Sequence, residues 1–266
     1  MIYGAIFGDI AGSVYEFDNI KTKDFDLFDE FSFFTDDSVM TIAVAAALAE
    51  CRGNYDDLSK TAIKHMQKLG RKYPDAGYGG NFRLWLKDSN PLPYNSYGNG
   101  AAMRISPVAY FADSLDKVKE LSYKITAVSH NHPEGIKGAE ATAVAIFLAL
   151  QGKSKEEIKE YITQNYYPLD FTLDEIRDEY KFEPSCQETV PQALEAFFES
   201  TDFADAVRNA VSIGGDSDTL AAITGSVAEA YYGVPEDIKE FVRSKLDDNL
   251  RNNLLELENK YGKKAA

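Results

Sequence analysis

Gly4, Gly8 and Gly12 recur at intervals of four at the start of the chain. On a helix such positions fall along one face, and a face without side chains is a groove that another backbone can enter. Each glycine costs a helix interior about 1 kcal/mol relative to alanine. The stripe therefore predicts that residues 2–15 form a helix pressed tightly against a partner helix.

Partners of that kind are abundant. Apolar residues recur with the helical period at Val39, Ile42, Ala43, Ala46 and Ala47, at Leu58, Ala62, Ile63, Met66 and Leu69, and at Leu115, Val118, Leu121, Ile125 and Val128. The stretch Ala139 to Leu150 is almost entirely alanine and aliphatic, which predicts a central helix buried on most sides. Val190, Ala193, Leu194 and Phe197, then Ala204 to Val211, then Leu220 to Tyr232, continue the series. Ser154 with Glu157 and Thr172 with Glu175 are capping boxes that open two charged surface helices. Arg104 to Phe111 is expected to be helical with an early interruption at Pro107, and the helix begun at Leu115 is expected to end at Ser129–Pro133. From Pro235 the pattern predicts a terminal, charged surface helix. Residues 16–34, and the Gly-, Asn-, Pro- and Tyr-rich residues 75–100, read as loops, the second a functional one. No run alternates apolar and polar residues between turns. The expected fold is all-α, a compact single-domain orthogonal helical bundle spanning residues 1–266.

Two short segments place acids where such helices begin. Thr35-Asp36-Asp37-Ser38 and Asp216-Ser217-Asp218-Thr219 each carry acids and hydroxyls and lead into a small-residue helix. Either alone has a bland explanation, since acids in a first turn bond free amides and oppose the helix dipole. Four buried carboxylates with few cations nearby must instead be paired or metal bound. All the donors are oxygens: Asp36, Asp37, Asp216 and Asp218, the hydroxyls of Thr35 and Thr219, and Glu16 as a further candidate. That set suits Mg²⁺, Mn²⁺ or Ca²⁺ over Zn²⁺ or copper, and so many carboxylates suit two close ions better than one. An EF-hand loop from Asp216 fails because its twelfth position is Val227. An Asp-x-Asp-x-Thr phosphotransferase motif fails at Leu220. No P-loop, His-Glu-x-x-His or dinucleotide fingerprint is present.

Charge narrows the ligand. A net charge of -15 repels nucleic-acid backbones and anionic lipid over the molecule as a whole, and no apolar run reaches membrane-span length. Cys51 and Cys186 lie far apart in sequence with no second sulfur near either, which fits a reducing cytoplasm. A monomer is expected. Ser96-Tyr97-Gly98-Asn99-Gly100 is a Gly-rich turn feeding a helix, where exposed amides can cradle phosphate. Arg104 is either a phosphate contact or half of an ion pair, and Tyr97 is either core or a stacking platform for a base. His130 and His132 sit where a helix-ending histidine would cap carbonyls.

Five ordered motifs, namely Gly8-Asp9-Ile10-Ala11-Gly12-Ser13-Val14-Tyr15-Glu16, Thr35–Ser38, Gly98–Arg104, Ser129–Pro133 and Gly215–Thr219, resemble the ADP-ribosylglycohydrolase family. The resemblance runs from near the start to about Gly233. It implies an all-α fold of that type, a binuclear Mg²⁺ or Mn²⁺ site, and hydrolysis of the bond between ADP-ribose and an acceptor on a modified protein or small-molecule conjugate. By motif, Thr35, Asp36, Asp37, Asp216, Asp218 and Thr219 fall on metal ligands. Glu16, Asp36, Asp37 and Asp218 carry the catalytic expectation; Ser96, Tyr97, Gly98, Asn99, Gly100 and His130 fall on positions that contact ADP-ribose. Arginine is the family's usual bacterial acceptor, with serine, O-acetyl-ADP-ribose and nucleic-acid linkages as alternatives. The rival reading is an ADP-ribose-binding or structural member that turns nothing over. Residues 75–93 match nothing in the family pattern.

Overall fold

The computed structural model of the chain describes residues 1–261; residues 262–266, the end of the expected 1–266 domain, lie outside. In chain order the helices are α1 (Tyr3–Ser13), α2 (Asp36–Cys51), α3 (Leu58–Lys72), α4 (Gly80–Lys87), α5 (Pro107–Phe111), α6 (Leu115–Thr126) and α7 (Pro133–Leu150). Then follow α8 (Lys155–Asn165), α9 (Leu173–Ile176), α10 (Cys186–Phe198), α11 (Phe203–Ser212), α12 (Ser217–Tyr232), α13 (Glu236–Lys245) and α14 (Asp248–Tyr261). A 3₁₀ turn spans Asn99–Ala101. Among the described residues there is no strand, only an isolated bridge between Gly98 and Ser185. The fold is all-α and compact, with one cluster of buried side chains running from Met1 to Leu257.

The glycine stripe finds its partner in α12, the helix on which α1 packs most extensively. A Cβ at Gly8 would lie 2.6 Å from the Ala222 nitrogen and closer still to the Ala221 carbonyl. At Gly12 it would lie 2.5 Å from the Asp218 Cα, and at Gly4 2.8 Å from the Gly225 carbonyl carbon. The two backbones are therefore in direct contact along α1. No side chain caps the start of α1, and Glu229 of α12 supplies the missing acceptor, taking the Gly4 N–H at 2.8 Å. Around α12 pack α7, α10 and α11, while α2 packs on α3, α1 and α14. The heads of α2 and α12 are thus brought together beside the second half of α1.

Several element boundaries differ from expectation, each for a local reason. The apolar patch at Phe82 to Leu86 is part of a helix, α4, so residues 75–100 are not a continuous loop. Pro107 does not interrupt a helix but opens α5, where its missing N–H costs nothing. Pro133 likewise opens α7, which starts six residues before Ala139, and His132 accepts the Glu134 N–H as its N-cap instead of closing α6. The tail is two helices, broken between Lys245 and Asp248. Thr35 caps α2, and both capping boxes form as expected. No helix among the described residues is long and apolar enough to cross a membrane.

Candidate active site

The second acidic segment sits on a sharp turn. Gly214 and Gly215 have φ of 68° and 77°, a region where a side chain is strained. Asn19 clamps Gly215 from the loop after α1, donating to its carbonyl at 2.9 Å and accepting its N–H at 2.7 Å. Lys21 donates to the carbonyls of Ile213 and Tyr180, each at 2.6 Å. The turn aims Asp216 and Asp218 at the head of α2, and the clamp brings Glu16 to the same place.

There the carboxylates converge in two triads. Oxygens of Asp9, Asp37 and Asp218 lie within 4.8 Å of one another, as do those of Glu16, Asp216 and Asp218. Asp218 belongs to both. The Thr219 hydroxyl lies 3.3 Å from Asp37 Oδ2, and the Thr35 hydroxyl 3.3 Å from Asp218 Oδ2. Asp36 stands outside both triads: its backbone N–H donates to the Ala76 carbonyl, and its half-buried carboxylate faces Gly77 and the cavity.

Asp9 was not singled out by the sequence as a site residue. It is fully buried, the one charged residue of α1, and it accepts from Thr35 N–H at 2.9 Å, Thr35 Oγ1 at 2.7 Å, Ser38 N–H at 3.0 Å and the Ser38 hydroxyl. Because Thr35 spends its proton on Asp9, its lone pairs are left for the Asp37 N–H and for a cation. A lone acid in an otherwise apolar helix was the available signal.

Burial, and for several of them the neighbouring charges, makes these acids weak. Burial, opposed by the Ser38 and Thr35 hydrogen bonds, pushes Asp9 up to about 6. Burial, then the charges of Asp216 and Asp9, push Glu16 up to about 7. Burial with Asp9 and Asp216 takes Asp36 to about 8. Asp37 and Asp218 are held well above the carboxylate range by burial and by neighbouring acids, and Asp216 is raised by burial. Oδ1 of Asp37 is buried with no hydrogen-bond partner. An orphaned oxygen amid acids that repel one another is the donor set hard divalent cations satisfy, so the residues fit such ions.

A pH test follows from these shifts. Acids raised above their unfolded values bind protons more tightly in the fold than in the unfolded chain, so stability falls as pH rises between the two values. Chelator-treated protein is expected to melt higher at about pH 5.5 than at about pH 8, because Asp9, Glu16 and Asp36 charge within that window. Excess Mg²⁺ should reverse the order, since cations bind the deprotonated acids. Melting temperatures that climb with pH in chelator would contradict the crowded cluster.

Above the acids lies a cavity of about 300 Å³. Glu16, Asp36, Asp216, Asp218 and Thr219 line its acid end, and Ser96, Gly98, Asn99, Gly100 and His130 line its wall. The unassigned residues 75–93 supply a second wall, through Gly77 and Gly79 before α4 and through Gly80, Asn81 and Phe82 in its first turn. Asn99 is buried and turned to the acids, donating to Asp216 Oδ2 at 2.7 Å. Tyr97 does not line the cavity; its ring is 50% exposed and packs edge-on to His132.

His130 is buried between the rings of Phe82 and Tyr94. Burial and the Arg104 charge hold it well below its ordinary pKa, so the ring is neutral. Arg104 Nη2 lies 3.2 Å from Nδ1 and can only donate, which leaves the ring proton on Nε2. Nε2 faces Gly100, 3.3 Å from where a Cβ would stand. The site thereby presents an N–H to the cavity. Arg104 itself is fully buried, bonded to Ser129 Oγ at 2.7 Å and stacked on Phe82, and thus orients His130.

An all-α cavity floored by clustered acids and walled by glycine-rich turns is a framework for hydrolysis, with carboxylates grouped closely enough to hold a metal ion. The chain belongs to the ADP-ribosylglycohydrolase family, an enzyme family whose model it matches over residues 1–265. It is 25% identical to ADP-ribosylhydrolase ARH3 of Mus musculus, over 88% of this chain and 83% of that one. It is 27% identical to the ADP-ribosyl-[dinitrogen reductase] glycohydrolase of Rhodospirillum rubrum, over 80% and 73%. To the ADP-ribosylarginine hydrolase Tri1 of Pseudomonas putida it is 29% identical over 56% and 42%. A solved structure described as an ADP-ribosylglycohydrolase-related protein complex shares the fold, with a TM-score of 0.72 at 22% identity over 96% of this chain and 94% of that one.

Proposed function

We propose that the protein hydrolyses the glycosidic bond between the distal ribose of ADP-ribose and an arginine side chain of a modified protein, using two divalent cations, Mg²⁺ or Mn²⁺. The observation that carries this reading is the pair of acid triads sharing Asp218 at the end of the cavity lined by the glycine turn and His130. The names of the relatives support ADP-ribose as the ligand, and Tri1 supports arginine as the acceptor.

Asp37, Asp218 and Thr35, with Asp9 behind them, would hold one cation; Glu16, Asp216, Asp218 and Thr219 would hold the other. Bound there, the cations supply positive charge for the ribose diol and acidify water. The chain's own groups do the rest. The Gly100 N–H and the His130 Nε2–H bind diphosphate oxygens, since the Gly98, Asn99 and Ala101 amides already donate to Ser96, Pro184 and Gly98, and Asn99 keeps Asp216 in place. Water adds its oxygen to the anomeric carbon as the bond to the arginine nitrogen breaks; one water proton ends on that nitrogen. Asp36, which faces the cavity with a pKa of about 8, or Glu16 takes the proton in transit. Positive charge building on the ribose ring is stabilised by the surrounding carboxylates.

Release of free ADP-ribose from an ADP-ribosyl-arginine protein is the test. It should stop in excess chelator and return with Mg²⁺ or Mn²⁺. Full turnover in chelator would overturn the role of the cations, and release of phosphate would overturn the choice of bond.

A further inference from the structure

Phe17 and Phe182 are 86% and 45% exposed, yet their rings stack on each other, with centroids 6.3 Å apart and planes 22° from parallel. Single exposed aromatics are ordinary. A stacked pair in solvent at the mouth of a cavity is not explained by the core, which it hardly touches. Both rings are fastened to the site. Phe17 follows Glu16, whose carboxylate joins the triad with Asp216 and Asp218, and Phe182 lines the cavity itself. The Asn19 and Lys21 clamps tie the two loops to Gly215, Ile213 and Tyr180. The pair therefore stands where the Glu16 loop meets the cavity, at the acid end where the ribose bond would break.

We propose that Phe17 and Phe182 form the subsite for the acceptor, taking the planar, cationic guanidinium of an ADP-ribosylated arginine against their ring faces. The inference rests on the function proposed above and specifies what its leaving-group side reads. An arginine guanidinium stays protonated and flat when one nitrogen carries a ribose. Aromatic faces attract such a cation. Exposed Asp18 and Glu183 adjoin the two rings, and the cavity acids lie beneath; Lys181 is the opposing charge, while Lys21 is occupied with backbone carbonyls. A serine linkage offers neither plane nor charge.

The test compares Phe17→Ala, Phe182→Ala and the double variant with the parent on an arginine-linked and a serine-linked substrate, alongside calorimetric binding of ADP-ribose with Mg²⁺. Each single change should lower kcat/KM on the arginine conjugate about fivefold, mainly through KM, and the double variant about twentyfold. Any serine-linked turnover, the ADP-ribose Kd and the melting temperature should stay within about twofold or a degree or two. Phe17→Trp should restore the arginine activity. Equal losses in ADP-ribose binding would make the rings a nucleotide platform, and parent-like rates on the arginine conjugate would remove them from recognition; either overturns the proposal while leaving the proposed function intact. A parent protein that neither binds ADP-ribose nor cleaves the arginine conjugate overturns both.

Discussion

Asp218→Asn should give a protein that, free of metal, melts higher than its parent, yet has lost about a thousandfold in turnover. Asp218 contributes to both triads, so one substitution removes a carboxylate from each. Its carboxyl is held well above the normal range by burial, then by Asp216 and Asp37. Without cations that crowding opposes folding, and a neutral amide of the same shape relieves it. Each kcal/mol recovered is worth about 2–4 °C in a chain of this size. Differential scanning with and without Mg²⁺ separates the terms: the parent should gain much more from Mg²⁺ than the variant. A variant that melts lower in chelator and keeps its Mg²⁺ response would show that Asp218 is a structural acid, not a shared ligand.

Gly8→Ala is expected to be the most damaging small change in the chain. The added methyl has no flexible side chain to push aside, because the backbone of α12 at Ala221 and Ala222 already fills the space. Overpacking in a close-packed interior costs about 1–3 kcal/mol, and more where only backbone can yield. Asp9 follows directly and holds Thr35 and Ser38. Separation of α1 from α12 should therefore weaken Mn²⁺ binding as well as lower the melting temperature by several degrees. A parent-like melt would mean that the helices slide apart freely.

Much of the helical layout could be read from periodicity, because α3 and α6 each bury one stripe and leave the rest at least partly exposed. Prolines were harder. Pro107 and Pro133 read as interruptions, yet proline is equally suited to a first turn, and the deciding fact was which side the following residues pack on. α4 is short and preceded by glycines, so its apolar patch carried too few turns to declare itself.

The convergence of the two acidic segments was legible because both repeat one local pattern. Asp9 was not, because the groups that explain it, Thr35 and Ser38, lie 26 and 29 residues away. Tyr97 was assigned by its glycine neighbours, but alternate side chains on an extended segment point to opposite sides, and its ring points outward. Asp36 and Asp37 are adjacent for the same reason on a helix: about 100° apart, they serve different surroundings.

The pairing of α1 with α12 also has a consequence during synthesis. α1 leaves the ribosome ahead of α2–α14, and the surface its glycines were shaped for is not made until residues 217–232. At about 5–20 residues per second, that is a wait of some ten to forty seconds. Through it an apolar helix bearing a naked groove must avoid the wrong partner, and no local contact can complete either acid triad. Both triads need Asp218, so a product released before residues 217–232 are made has neither the partner of α1 nor a complete cluster of acids.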